Sequence, residues 1–156
     1  MNFERFEEFI MSEECYFSYD VSYIDKKGLQ HQIPEKYSFW EYQFYLGKLI
    51  AEEKNTIKIE QMERYWKWND RTIHLFYNPK NGPTFDVHTD PVDVIIDCLD
   101  GIKVMEVDGK KITLKPGDKL SIPAGTKHRA LNYEKALMAS HGINDTETLS
   151  RIRENN

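Results

Sequence analysis

Gly117-Asp-Lys-Leu-Ser-Ile-Pro123-Ala-Gly125-Thr-Lys-His128-Arg-Ala-Leu-Asn132 is the stretch whose reading decides the fold. Gly117-Asp118 turns the chain into a short strand over 119–122. Pro123-Ala124-Gly125 turns it again, into a second strand over 127–133. His128 then stands at the start of that strand, aimed into the space the strands enclose. The same grammar continues on both sides. Residues 84–90, 92–99, 102–107, 110–115 and 135–141 read as further short strands. Five of the 6 prolines and six of the 8 glycines follow Tyr77, which is the punctuation of tight turns. Many short strands of this kind predict a mainly β barrel or double-sheet roll.

Upstream the character changes, because all aromatic residues except Phe85 and Tyr133 lie at or before Tyr77. Phe3, Phe6, Phe9 and Ile10 recur at helical spacing and predict one helix over 2–14. Phe17, Tyr19, Val21 and Tyr23 alternate as a strand, and Asp25-Lys-Lys-Gly28 closes it with a turn. Ser38 with Glu41 three residues on is a capping box, opening a helix to about Lys54 with Phe39, Tyr42, Leu46, Leu49 and Ile50 inward. Residues 62–68 and 71–77 alternate around Asn69-Asp70 as a hairpin, and a short helix is expected from Asp145. The 156 residues therefore read as a single domain. Residues 1–78 are an aromatic-rich N-terminal α/β elaboration supplying walls to a cavity, 79–142 the β core, and 143–156 a tail.

Composition narrows the partners. With 21 Lys+Arg against 26 Asp+Glu and a net charge of −5, broad binding to nucleic acid or anionic membrane is excluded. The start is acidic and periodic, unlike a secretion signal, and no run approaches a membrane span. Cys15 and Cys98 form neither a disulfide framework nor a zinc spacing, and Cys98 reads as a buried, inert thiol. The expectation is a cytoplasmic protein acting on a small molecule or peptide, with homodimerisation left open.

Gly117-(five)-Pro123-x-Gly125-x-x-His128-x-x-x-Asn132 resembles the second cupin motif at all its fixed positions. A coincidence in a chain this long is roughly one in ten thousand at ordinary residue frequencies. The resemblance covers about 84–141 and implies a cupin double-stranded β-helix, a jelly-roll barrel. The first cupin motif, His-x-His followed by Glu and then Gly, aligns by Gly101 onto His88, Asp90 and Val94. The second histidine is thus an aspartate and the glutamate is apolar. His88, Asp90 and His128 remain, and two imidazoles with one carboxylate form the facial triad of non-heme Fe(II) oxygenases.

Strand parity puts His88 and Asp90 on the face of Val94, Ile96 and Cys98, with Asp93 and Asp97 opposite. Val94 is therefore expected buried beside the metal. Asp100-Gly101 reads as a two-residue hairpin turn, which pairs Cys98 with Lys103 and sends Lys103 into the same cavity. A lysine there needs an anionic partner.

His88-Thr-Asp90 followed by Gly101-Ile-Lys103 and His128 resembles the His-x-Asp … Gly-x-Lys … His pattern of JmjC-type, cupin-like oxygenases. The resemblance implies Fe(II) on His88, Asp90 and His128, and 2-oxoglutarate as co-substrate with its far carboxylate on Lys103. The implied reaction is hydroxylation of a small molecule, amino acid or peptide side chain. Two other readings stay open: a metal-dependent cupin dioxygenase or isomerase without 2-oxoglutarate, and a non-catalytic ligand-binding cupin. The second residue binding the co-substrate is also open, among Thr72, His74, Tyr77 and His141.

Overall fold

A computed structural model of the protein describes residues 1–62 and 72–143. The chain opens with two short helices, α1 (Phe3–Ile10) and α2 (Glu13–Ser18), where one was expected. Ser12 is the reason. Its hydroxyl accepts from the Cys15 N–H and so caps a new helix, with Glu13 and Glu14 suiting the positive end. Strand β1 (Tyr19–Ile24) therefore starts two residues late. After β2 (Gln30–Gln32) comes α3 (Phe39–Glu52), opened by the expected Ser38–Glu41 capping box.

The remaining described strands are β3 (Thr56–Gln61), β4 (Thr72–Asn78), β5 (Val94–Gly101), β6 (Lys103–Val107), β7 (Lys110–Leu114), β8 (Lys119–Ile122), β9 (His128–Leu131) and β10 (Ala136–Gly142). They form a seven-stranded sheet, β2-β1-β3-β4-β10-β5-β8, and a three-stranded sheet, β7-β6-β9. Every pairing is antiparallel. The result is the mainly β jelly roll that was expected. No described helix is long and apolar enough to cross a membrane.

Three readings of the strands need correction. The partner of β4 is β3, with Ile57 opposite Tyr77 and Glu60 opposite His74; the strand expected over 62–68 lies almost wholly outside the described residues, as does the helix from Asp145. Residues 84–90 form no strand, and only His88 pairs, in a single bridge to His128. Asp100-Gly101 closes no hairpin either. β5 belongs to the large sheet and β6 to the small one, so this corner carries the chain between them. Gly101 has φ +71°, and a Cβ there would overlap the Lys135 carbonyl oxygen.

The two faces of the large sheet do different things. On the outer face Ile57, Ile59, Tyr77 and Leu137 are buried against Phe6 and Ile10 of α1 and Tyr42, Leu46 and Leu49 of α3. Phe6 stacks on Tyr77 with ring centroids 5.1 Å apart, and the Tyr42 hydroxyl donates to the Ile10 carbonyl at 2.7 Å. These aromatics thus back the sheet, and among the described early aromatics Phe76 alone lines the cavity. The inner face meets the small sheet through Ile96, Cys98, Met105, Leu114, Ile122 and Met138.

Candidate metal centre

Between the sheets lies a cavity of about 230 Å³. A wider groove of about 990 Å³ runs past Tyr16, Phe17 and Tyr19, but contains none of the expected ligands. Strand register divides the smaller cavity into layers. At the floor Lys103 of β6 meets Asn78 of β4 and Asn132 just past β9. One step up, Met105 faces Ala130 on the small sheet, and Phe76 faces Met138 on the large one. A further step up come His128 on the small sheet and His74 opposite Ser140 on the large one. Alternation along each strand sends every second residue inward, which is why these side chains share one space.

Backbone pairing brings the expected ligands together. The His88 and His128 backbones exchange both hydrogen bonds, at 3.1 and 2.9 Å, and the Gly125 N–H donates to the Asp90 carbonyl at 2.9 Å. The ligating atoms of His88, Asp90 and His128 consequently lie within 4.8 Å of one another. Asp90 Oδ2 is 3.0 Å from His128 Nε2 and 4.0 Å from His88 Nε2.

Each ring is fixed from behind. His88 Nδ1 lies 2.8 Å from the Asp86 carbonyl oxygen, and His128 Nδ1 lies 2.9 Å from that of Thr126. A carbonyl only accepts, so each Nδ1 carries a proton and each Nε2 is the nitrogen left to face a metal. Two imidazoles so oriented and one carboxylate fit a divalent ion. Asp93 takes no part, because its Oδ1 accepts from the Ala124 N–H at 2.8 Å. Val94, expected beside the metal, is buried but packs into the core between the sheets, and Ile96 lines the cavity in its place.

Lys103 enters the cavity as expected and is only 1% exposed. Its partners are a correction. Instead of an anion, Nζ donates to Asn78 Oδ1 at 2.7 Å and to Asn132 Oδ1 at 2.6 Å. Both amides are held in that orientation. Asn132 Nδ2 donates to the Gly82 and Pro83 carbonyls, and Asn78 Nδ2 donates to Thr56 Oγ1. Burial disfavours the charged amine and pulls its pKa down to about 7. Asn78 was missed in the sequence, although its parity with His74 and Phe76 points it inward.

Of the residues considered for the co-substrate, His74 lines the cavity. Tyr77 is buried on the outer face, and His141 lies on that face too, 4.0 Å from Asp97. The Thr72 side chain lies outside what the structure describes. Cys98 is fully buried, and burial raises its thiol pKa, so it stays neutral.

Residues 74–139 match the family described as Cupin domain. No curated protein matches the chain. Among solved structures, a cupin superfamily protein from Desulfitobacterium hafniense is similar at 22% identity and a TM-score of 0.49, over 58% of this chain and 78% of that one. KdgF from a Halomonas species is similar at 19% identity and a TM-score of 0.48, over 60% and 83%. Two facing antiparallel sheets around a cavity, with the family match running across both of them, give residues 74–139 the jelly-roll fold that the Cupin domain match describes.

Proposed function

We propose that the protein is a non-heme Fe(II)- and 2-oxoglutarate-dependent oxygenase that hydroxylates a small molecule, an amino acid or a peptide side chain. His88, Asp90 and His128 would hold the metal, and Lys103 the far carboxylate of the co-substrate. The observation that carries it is the layering of one cavity: three ligand side chains above, an apolar belt of Phe76, Met105, Ala130 and Met138, and a buried amine without a carboxylate below. Four residue steps lead from His128 to Asn132, about 13 Å of extended backbone. A five-carbon 2-oxo diacid with an apolar middle suits that span, given the inward reach of Lys103.

When bound, Fe(II) supplies the redox chemistry that couples oxidative decarboxylation of the 2-oxo acid to hydroxylation of a C–H bond. The chain's own residues do the rest. The Asp86 and Thr126 carbonyls hold the ligand rings, the belt keeps water away, and Lys103 orients the diacid through a charge-assisted hydrogen bond. Lys103→Met keeps much of the length and removes the charge. It is expected to weaken 2-oxoglutarate binding by about 1.5–3 kcal/mol, with metal content unchanged. Succinate formation against 2-oxoglutarate concentration, with iron measured in parallel, checks it; an unaltered dependence sinks the role of Lys103.

The pH dependence has a definite sign. A bound carboxylate favours the ammonium, so binding draws a proton onto an amine that titrates near 7 when the cavity is free. Affinity for 2-oxoglutarate should then fall as pH rises above about 7, by up to about ten-fold per unit, until the complex itself deprotonates. Cys98, the titratable neighbour, stays a neutral thiol over that range. A flat profile between pH 7 and 9 in calorimetric titrations would contradict this.

A second reading has its own support. Asn78 and Asn132 already take two of the donors of Lys103. A cavity whose lysine is solvated by amides also suits a metal-dependent cupin dioxygenase or isomerase that uses no 2-oxoglutarate.

A further inference from the structure

The layer containing the proposed metal ligands has another imidazole on its far wall, which the proposed chemistry does not use. His74 lines the cavity beside Ser140, its cross-strand partner on β10. On its other side it faces Glu60 of β3. Its Nε2 is buried and lies 3.2 Å from Glu60 Oε1, an ion-pair distance slightly off the line of a hydrogen bond. The contact holds the Glu60 carboxyl below its ordinary value, so the group there is a carboxylate.

A carboxylate only accepts, so it favours the proton on Nε2 and leaves Nδ1 with a lone pair. Phe76 meets the ring edge-to-face, with centroids 6.3 Å apart, and limits its rotation. The cavity therefore presents, level with the ligand cluster, an oriented acceptor on the opposite sheet.

We propose that His74, held by Glu60, recognises the substrate by accepting a hydrogen bond at Nδ1. The substrate class is a small molecule that presents a hydroxyl or amine donor next to the carbon facing the ligand cluster. Ser140, in the same row, offers a hydroxyl that serves such a group as donor or acceptor. The inference rests on the reading of this cavity as a substrate site, but its test needs neither 2-oxoglutarate nor a metal, so its failure is distinguishable from that of the oxygenase reading.

The test uses the full chain labelled with ¹⁵N-histidine, at about pH 8, above the ordinary histidine range. Long-range ¹H–¹⁵N spectra should show His74 as the Nε2–H tautomer in the wild type and as a mixture in Glu60→Ala. Two probes then separate recognition from packing: 3-hydroxypropionate, and 3-methoxypropionate, which lacks the O–H. Calorimetry should find the hydroxy acid bound about five-fold tighter by the wild type, the worth of about one hydrogen bond. His74→Phe, which keeps a ring beside Phe76, should remove that preference. A proton on Nδ1 in the wild type overturns the proposal. So do equal affinities for the two acids, no measurable binding of either, or a preference that survives in His74→Phe.

Discussion

His128→Ala is expected to leave the protein folded and unable to retain a metal. His128 is 5% exposed, and its side chain supplies one of the three donors that converge at the cavity mouth among the described residues. Loss of an outer partner of a metal ligand typically costs 10–100-fold in affinity. Loss of a ligand itself should cost more than about 100-fold, and turnover with it. The fold has reason to survive, because the His88–His128 pairing runs through backbone groups that the substitution leaves in place. Metal content after dialysis, read beside the far-UV circular dichroism of the same sample, separates these effects. Stoichiometric metal in a folded His128→Ala protein would remove the ligand assignment.

Gly101→Ala should be the most destabilising change at a glycine outside the cavity. Its φ of +71° is a conformation that costs an alanine about 1–2 kcal/mol. The added Cβ would also meet the Lys135 carbonyl oxygen. That obstacle is backbone, so no side-chain rotation relieves it, and the corner between β5 and β6 must shift. A total of about 3 kcal/mol or more is expected. Gly109 has φ +77° with nothing near its would-be Cβ, so Gly109→Ala isolates the conformational part alone. Chemical denaturation of the two variants measures the difference, and equal losses would show that the corner yields easily.

Much of the cavity was legible because its signals are local. The Gly117–Asn132 stretch combines turn residues with one inward histidine; His88, Asp90 and Lys103 also reach the cavity, although the continuous strand and the hairpin from which that was expected are absent. The corner at Asp100-Gly101 was misread because a hairpin and a passage between sheets ask the same thing of a glycine, a positive φ. Which of them forms depends on Lys135, distant in sequence. Residues 84–90 alternate like a strand, yet Pro83 and Pro91 bracket them and only His88 finds a partner. The early helix divides because the hydroxyl of Ser12 serves a cap better than a helix interior. The purpose of the aromatics was hidden for another reason: burial on the back of a sheet and burial in a cavity wall have the same alternating pattern.

The backbone bridge between His88 and His128 has a wider consequence. The frame that presents the three donors is built from peptide groups, which every residue shares except proline, lacking the N–H. Side chains at positions 88, 90 and 128 can therefore be exchanged in the course of descent while the frame persists, and the chemistry can drift on an inherited scaffold. Val94 marks where the freedom ends. It is 6% exposed within the apolar core, so a carboxylate placed there would be buried away from the three donors.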